Sequence, residues 1–303
     1  MAKKSIWQII CAVFLAVLSV LSVAPLEHVG ANDSSRWMQR LEDDRLIAEL
    51  SIPGSHDSGA THSIADVAGK CQSLSIAAQL HAGVRFLDIR LQNKQDSLVL
   101  VHSFVDQRLS FASALDGMAT FIRENPTEFL LMSIKEDADE VDATVSFSDA
   151  VKAALSAHSD VVCLDTSLPQ TVGQARGKIY IISRYWDQTV GVPAYSGWRD
   201  STSFEIGDFY VQDHYSLESV EEKKADIAAC FEKSASKQYT LVLNFASCYL
   251  TNAFPPLYAG TPAREINPWL IQTVSQVQGG LGVVIVDFVT TELARAIYGR
   301  NFV

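Results

Sequence analysis

Short apolar runs alternate with longer amphipathic segments along most of this 303-residue chain. Short runs rich in Val, Ile, Leu and Phe predict strands, whereas apolar residues at spacings of three and four predict helices. The predicted strands are 47–52, 86–91, 98–102, 129–135, 179–184, 209–213, 241–245 and 283–288. The predicted helices are 75–82, 111–124, 147–158, 220–234 and 266–278. This alternation predicts an α/β fold, specifically a TIM-type (β/α)8 barrel in a single domain.

One stretch departs from the alternation. Residues 185–208, between the fifth and sixth predicted strands, show no helical pattern and are rich in Tyr, Trp, Gly and Ser. Loops of this length inside a compact domain are usually functional or disordered. We therefore expect a barrel with an incomplete set of helices.

The N-terminal segment, 1–31, is predicted to be a secretory signal peptide. Lys3 and Lys4 precede an apolar run over 6–23, and small residues lead up to a cleavage site after Ala31. The alternative is an uncleaved anchor, because a run of about 18 apolar residues can span a bilayer. A cleaved signal predicts a secreted protein.

The remainder, 32–303, is predicted to be the barrel domain, since roughly 250 residues suffice for one. Without Lys3, Lys4 and Glu27, the 24 basic and 35 acidic side chains fall to 22 and 34, a net charge of −12. An acidic body argues against nucleic acid as a partner and against membrane docking by a polybasic patch. We expect a monomer whose membrane contact is apolar and local.

The mature chain keeps an even number of cysteines, namely Cys71, Cys163, Cys230 and Cys248. In an exported protein, four cysteines permit three disulfide pairings, and four unpaired buried thiols are the alternative. No CxxC motif and no Cys/His pair at zinc spacing is present in the sequence, so a structural zinc is not expected.

Most predicted strands finish at an ionisable side chain, and the carboxyl ends of barrel strands surround one mouth, where reactive groups lie. A single charged strand end could simply be solvated, but so many together indicate a site, because burying unpaired charge is costly. The candidate residues are His56, Asp57, Arg90, His102, Lys135, Arg184, Asp213 and Asp287.

Two histidines at one mouth suit acid–base catalysis of phosphoryl transfer. Because the ordinary pKa of histidine is about 6.5, one ring can accept a proton while the other donates one. Asp57 and Asp287 are available to orient the rings. Arg90 and Lys135 could neutralise charge on phosphate oxygens, which a metal would otherwise do.

The motif IPGSHDS at 52–58 resembles the opening motif of bacterial phosphatidylinositol-specific phospholipase C, the family of the catalytic X domain. The likeness continues in order over nearly the whole mature chain. Its further motifs are FLDIR at 86–90, VLVH at 99–102, MSIK at 132–135, SRY at 183–185, VQDHY at 211–215 and VD at 286–287.

The resemblance implies a role for each catalytic candidate. His56 would be the general base that deprotonates the inositol 2-hydroxyl, with Asp287 orienting it. His102, backed by Asp57, would be the general acid that protonates the diacylglycerol oxygen, and Arg90 would hold the phosphate. The first products would be diacylglycerol and inositol 1,2-cyclic phosphate, because the attacking oxygen belongs to the substrate itself.

The resemblance also implies how the head group is bound. Lys135, Arg184, Asp213 and the ring of Tyr215 match inositol-binding residues, and Trp198 resembles a further residue lining the inositol ring. The substrate would be phosphatidylinositol, with glycosylphosphatidylinositol anchors as a further candidate.

Metal independence is a further implication of the resemblance. Calcium-using relatives carry an acidic residue where Arg90 stands, so we expect an enzyme without cofactor or metal ligand.

The predicted membrane contact departs from the family pattern. Relatives use a Trp-bearing helix after the first strand, but 61–73 contains no aromatic residue. We therefore expect apolar contact from the loop after the seventh strand, with Phe254, Tyr249 and Leu257 as candidates.

Two alternative functions are disfavoured by the sequence. A metal-dependent glycerophosphodiesterase or sphingomyelinase D-like barrel enzyme would need clustered Glu and Asp near the first histidine, which the neighbourhood of His56 lacks. A catalytically silent lipid-binding module would be expected to have lost part of the catalytic set, yet both histidines, both aspartates and Arg90 are present.

Overall fold

A computed structural model describes residues 34–63, 69–254, 256 and 258–303. The predicted signal peptide at 1–31, with its alternative as an anchor, lies outside the described residues, and so does Leu257. Within the described part of the chain, no helix has the length and apolar character needed to cross a bilayer.

The described strands are numbered β1 to β14 in chain order. They are Ser51–Ser55, Phe86–Lys94, Ser97–His102, Val105–Ser110, Leu130–Glu136, Val162–Cys163, Ile179–Arg184, Val192–Pro193, Thr202–Ile206, Phe209–Asp213, Ser216–Leu217, Leu241–Phe245, Tyr249–Leu250 and Gly282–Val286. The α-helices, α1 to α7, are Ile76–Ala82, Phe111–Glu124, Phe147–Ser156, Val172–Ala175, Val220–Ala235, Gly260–Thr273 and Thr291–Gly299. Short 3-10 helices cover Ser34–Arg40, Ile47–Glu49, Tyr195–Gly197, Val274–Gln276 and Arg300–Phe302.

The long strands follow one another in the order of a barrel. The sheet runs β7-β5-β2-β1-β14-β12-β10, and every neighbouring pair is parallel. The strand that comes last in the chain, β14, pairs with β1, which comes first, from Ser51 opposite Gly282 to Ser55 opposite Val286. That pairing distinguishes a barrel from an open doubly wound sheet, so the predicted TIM-type barrel is confirmed.

The predicted count of eight parallel strands is wrong at the third strand. The segment 98–102 belongs to β3, which runs antiparallel to both β2 and β4. Gln95 and Asp96 both have positive φ, as in a type I′ turn, and they fold the chain straight back after β2. A two-residue connection cannot hold the crossover that a parallel neighbour needs.

The first predicted strand is displaced. Residues 47–49 of the prediction form a 3-10 helix, and β1 begins at Ser51. In so short an apolar run, the spacing of the apolar residues does not distinguish a strand from a buried turn. Pairing with β14 places Pro53 and Gly54 in the strand despite their low strand propensity, and a Cβ on Gly54 would come within 2.9 Å of Ile285.

Four of the five predicted helices agree with the structure to within two residues at each end. The predicted helix at 266–278 instead begins at Gly260 and ends at Thr273. The short α4 and the C-terminal α7 were not predicted. The sequence does contain a start signal for α7, because the Thr290 hydroxyl accepts a hydrogen bond from the backbone N–H of Leu293.

The barrel is open between β7 and β10 in the part of the chain that the structure covers. As predicted, residues 185–208 contain no α-helix. Instead, β9 pairs antiparallel with β10. It covers the edge of β10 that would otherwise be available to a strand on the β7 side. The loop containing Trp198 therefore lies at this opening.

All four predicted mature cysteines are free thiols, and Cys71, Cys230 and Cys248 are buried. Of the two alternatives drawn from the sequence, the unpaired thiols are the one found. The core therefore depends on packing of apolar side chains from both faces of the sheet.

Candidate active site

The strand ends surround one cavity of about 440 Å³. Nine of the ten predicted site residues line it, and the tenth, Asp57, is buried directly behind its wall. The nine are His56, Arg90, His102, Lys135, Arg184, Trp198, Asp213, Tyr215 and Asp287.

His56 is held in one orientation by its two neighbours. Because β1 and β14 are paired, His56 and Asp287 meet just beyond the two strands, and Nδ1 lies 2.8 Å from Asp287 Oδ1. On the other side, Arg90 Nη2 is 2.8 Å from His56 Nε2. A guanidinium can only donate, so Nε2 carries a free electron pair and Nδ1 donates its proton to Asp287. The ring is therefore oriented as a neutral base.

His102 is held more loosely, at the end of β3 in the hairpin. Its Nδ1 lies 3.5 Å from Asp57 Oδ2 and 3.5 Å from Cys71 Sγ. Asp57 has a φ of 38°, which is a strained conformation for a non-glycine residue and aims its carboxyl group beneath the cavity. The Asp57 Oδ2 atom is buried without a hydrogen-bond partner.

Burial shifts the pKa values of this pair in opposite directions. Burial raises the pKa of Asp57 well above its ordinary value, although Arg90 opposes the shift. Burial is also the main cause that lowers the pKa of His102 to about 4, with Arg90 as the next cause. These opposite shifts favour Asp57 over His102 as the holder of a proton that the two residues share.

The parallel register aligns three cations across the cavity floor. Arg90 on β2 lies opposite Lys135 on β5, which lies opposite Arg184 on β7. Like charges on adjacent strands repel, so this row needs carboxylates around it. Such a row provides a binding surface for a phosphate and its neighbouring hydroxyls.

Two of these carboxylates, Asp88 and Asp137, were not among the predicted site residues. Arg90 Nε is 3.1 Å from Asp88 Oδ2, and Lys135 Nζ is 2.6 Å from Asp137 Oδ1. Burial is the largest single influence and raises the pKa of both carboxyl groups. Arg90 together with Arg184 at Asp88, and Arg90 together with Lys135 at Asp137, outweigh burial, so both pKa values lie well below the ordinary range. The strand period contained a signal for Asp88, which shares a face of β2 with Arg90.

The remaining predicted binding residues form a wall near the barrel opening. The Arg184 guanidinium lies 3.7 Å from the ring centre of Trp198, and Arg184 Nη2 is 3.7 Å from Asp213 Oδ2. Trp198 Nε1 donates to the same Asp213 oxygen at 2.9 Å. The Tyr215 hydroxyl donates to Asp200, a lining residue that was not predicted. These contacts fix a flat ring and several polar atoms on one side of the cavity.

Comparison with known proteins fits this geometry. Residues 48–185 match the family model described as phosphatidylinositol-specific phospholipase C, X domain. Over these residues the chain is similar to the X domain of this family. The predicted family resemblance is thereby confirmed.

Curated relatives extend the similarity beyond the X domain. The 1-phosphatidylinositol phosphodiesterase of Listeria monocytogenes is 26% identical over 279 residues, which cover 88% of this chain and 85% of the relative. The protein of the same name from Staphylococcus aureus is 27% identical over 308 residues, covering 91% and 92%. A solved mutant of the phosphatidylinositol-specific phospholipase C from Staphylococcus aureus has a TM-score of 0.76 at 23% identity, covering 88% of this chain and 99% of that chain. At this identity, the solved structure supports the fold alone.

Two sets of side chains at the cavity have the spacing of metal ligands, within the residues that the structure describes. They are His56, Cys71 and Asp287, and Asp57, Cys71 and His102. In each set the ligand atoms lie within 4.8 Å of one another. Sequence spacing did not reveal either set, because Cys71 is brought to both histidines only by the fold.

Several apolar side chains of the protein are exposed. Phe254, a predicted membrane-contact residue, is 100% exposed, and Tyr249 is partly exposed. Phe104, which was not predicted, is 81% exposed in the hairpin turn that follows His102. Trp186 and Tyr195 are also exposed, with their rings edge to face at 5.8 Å. Exposed aromatic side chains of this kind are typical of surfaces that bind partners or membranes.

Proposed function

We propose that this chain is an enzyme that cleaves phosphatidylinositol to diacylglycerol and inositol 1,2-cyclic phosphate. The observation that carries the proposal is the combination of a neutral His56, held between Asp287 and Arg90, with a second histidine facing the same cavity. The curated relatives are named as 1-phosphatidylinositol phosphodiesterases, which supports this substrate class.

In the first half of the reaction, His56 Nε2 removes the proton of the inositol 2-hydroxyl. The 2-oxygen then attacks phosphorus and forms the cyclic ester bond, while Asp287 stabilises the imidazolium that results. Arg90 Nη2 leaves His56 Nε2 and donates to a phosphate oxygen instead. The attack is intramolecular, so no activated water is needed.

In the second half, the bond from phosphorus to the diacylglycerol oxygen breaks, and His102 supplies that oxygen with a proton. A bound phosphate counters the charge of Arg90 and so raises the proton affinity of His102. Asp57 then passes its proton to Nδ1 as the separation of 3.5 Å shortens. Afterwards His56 releases its proton to solvent, and the Asp57–His102 pair regains one.

The cation row and the opening wall would bind the head group. Lys135 and Arg184 would donate to inositol hydroxyls, Asp213 would accept from one, and Trp198 and Tyr215 would flank the ring. Charged and polar side chains suit a polyol because each hydroxyl can both donate and accept. Glycosylphosphatidylinositol anchors share this head group and are a further proposed substrate.

Metal independence belongs to the proposal. The Arg90 guanidinium lies 3.1 Å from Asp88 Oδ2, 3.7 Å from Asp137 Oδ1 and 3.9 Å from Asp57 Oδ2, and so holds the position among carboxylates that a cation would take. It can supply the same electrostatic stabilisation of the phosphate. We expect full activity in excess EDTA, and a loss that calcium restores would contradict this part.

We further propose that residues 1–31 direct secretion, that 32–303 form the enzyme, and that the monomer meets its lipid surface transiently through apolar side chains such as Phe254. The exposure of Phe254 supports this contact. The net charge of −11 supports a chain without nucleic-acid partners.

Phosphorus NMR of the products from purified protein and phosphatidylinositol vesicles tests the function. We expect the inositol 1,2-cyclic phosphate signal first, and its loss in His56→Ala. Release of another phosphorylated head group only in the presence of a metal would favour the glycerophosphodiesterase or sphingomyelinase D-like alternative. Vesicle binding without any product from the wild type would favour the lipid-binding module.

A further inference from the structure

Cys71 is a buried thiol at the centre of the catalytic set, and the proposed reaction makes no use of it. It is 1% exposed, lines the cavity and lies 3.5 Å from His102 Nδ1. Its backbone is fixed on both sides, because its N–H donates to the carbonyl of Ala60 and its carbonyl accepts from the N–H of Phe288. The adjacent Gln72 amide donates to the carbonyls of His56 and Val286. The thiol is therefore held in place relative to both histidines.

A second observation at the same point is the orphaned oxygen of Asp57. The side chain is 1% exposed, and its Oδ2 has no hydrogen-bond partner, although a buried polar oxygen without one is costly. This oxygen lies 3.5 Å from His102 Nδ1, and Arg90 Nε is more distant at 3.9 Å. Arg90 is paired more closely with Asp88, at 3.1 Å. One carboxylate oxygen is therefore left free to bind a ligand beside the thiol.

Two of the three separations among the donor atoms match a tetrahedral zinc site, and the third lies within 4.8 Å. Bond lengths of about 2.3 Å to sulfur and about 2.0–2.1 Å to nitrogen and oxygen place neighbouring ligand atoms roughly 3.3–3.6 Å apart. The separations from Cys71 Sγ to His102 Nδ1 and from His102 Nδ1 to Asp57 Oδ2 are both 3.5 Å. The other set is less suitable, because His56 Nδ1 already donates to Asp287 at 2.8 Å.

We propose that Asp57, Cys71 and His102 bind a thiophilic divalent cation of the zinc class, and that binding inhibits the enzyme. As the bonds to the metal form, the Cys71 thiol and the Asp57–His102 pair each release one proton to solvent, and water from the cavity completes the coordination. His102 Nδ1 is then coordinated and can no longer receive a proton from Asp57. The site stands on its own geometry, whereas its inhibitory effect rests on the proposed function.

Binding is tested with Zn²⁺ alone by titration calorimetry, and with Co²⁺ by the thiolate-to-metal absorption band, on protein kept reduced by a phosphine that does not chelate zinc. We expect one Zn²⁺ per chain at this site in the wild type. We expect binding at least about tenfold weaker, and no thiolate band, in both Cys71→Ser and Cys71→Ala. The matched control is Cys248→Ser, which removes a thiol lining the same cavity outside both ligand sets.

Equal Zn²⁺ affinity in the wild type and in folded Cys71 variants, checked by circular dichroism, would overturn the site, and so would an equal loss in Cys248→Ser. Inhibition is measured as the activity of each variant in Zn²⁺ relative to its own activity in EDTA. We expect strong inhibition of the wild type and Cys248→Ser but not of the Cys71 variants. If the wild type does not cleave phosphatidylinositol, the proposed function fails while calorimetry still decides the metal site.

Discussion

The two histidines proposed as base and acid lie in regions that are built differently. His56 follows a central barrel strand, and both of its ring nitrogens have partners at 2.8 Å. His102 ends β3 in an antiparallel hairpin beside the barrel, and the nearest carboxylate is 3.5 Å away. The base is thus prepared by the fold before substrate arrives, whereas the protonation of the acid depends on the bound phosphate. A general base benefits from a fixed geometry, and a buried donor benefits from being charged only when it is needed.

The largest expected effect is on the base. His56→Ala removes the acceptor for the 2-hydroxyl proton, and we expect kcat to fall by about 10³–10⁴-fold. His214→Ala is a matched control, because His214 pairs with Asp226 at 2.9 Å and does not line the cavity. A similar loss in both variants, measured on phosphatidylinositol, would show that the effect of His56 is structural.

The acid is expected to matter only when the leaving oxygen needs a proton. His102→Ala should lower kcat on phosphatidylinositol by about 10²–10³-fold, because the diacylglycerol oxygen would leave as an alkoxide. On an inositol nitrophenyl phosphodiester, whose leaving group is a weak base, the loss should shrink to a few-fold. The loss in His56→Ala should be large with both substrates. If His102→Ala shows the same loss on both substrates, the separation of roles is wrong.

The hairpin that contains the acid also presents an apolar side chain to solvent. Phe104→Ser and Phe254→Ser should each weaken binding to phosphatidylinositol vesicles by about tenfold, since burying such a side chain contributes about 1.5–3 kcal/mol. Val303→Ser serves as the control, because Val303 is 88% exposed at the end of the chain. Vesicle sedimentation measures the affinity, and unchanged binding in both Phe variants would remove them from the contact surface.

The smallest expected effect is on stability and tests where the shared proton resides. Above pH 6.5, the unfolded chain has released the protons of Asp57 and His102, and we expect the folded pair to keep one, because burial raises the pKa of Asp57 well above its ordinary value. The folded state then binds more protons, so this pair makes stability fall as pH rises, by roughly 1 kcal/mol per pH unit.

The proton retained by the pair is absent from Asp57→Asn, so its stability should decline less steeply between pH 6.5 and 8.5. Urea unfolding at several pH values measures the free energy of unfolding in both proteins. Equal slopes of the free energy of unfolding against pH in the two proteins would show that the Asp57–His102 pair does not hold this proton.

Local sequence predicted three parallel strands of the barrel better than the strands that lead to the two histidines, because β1 was displaced and β3 was assigned the wrong direction. Strands 179–184, 209–213 and 241–245 were predicted to the residue, because buried parallel strands are continuous apolar runs. The hairpin β3 was predicted as a strand, but its direction was wrong. Its apolar pattern does not encode the neighbour, and only the short turn after β2 contained that information.

The sequence by itself determined which reactive side chains stand at the strand ends. It also determined the strand order of the barrel that brings them together. Four candidate site residues could be identified from the sequence, because each stands in or beside a predicted strand and within a motif that is local in sequence. They are His56, Arg90, His102 and Asp287.

The tertiary structure decided the protonation of His56, the support of Arg90 by Asp88, and the approach of Cys71 to His102. These properties depend on distances of a few ångströms between residues that are mostly far apart in the chain. Strand register and loop packing fix such distances, whereas a local pattern of residue types does not.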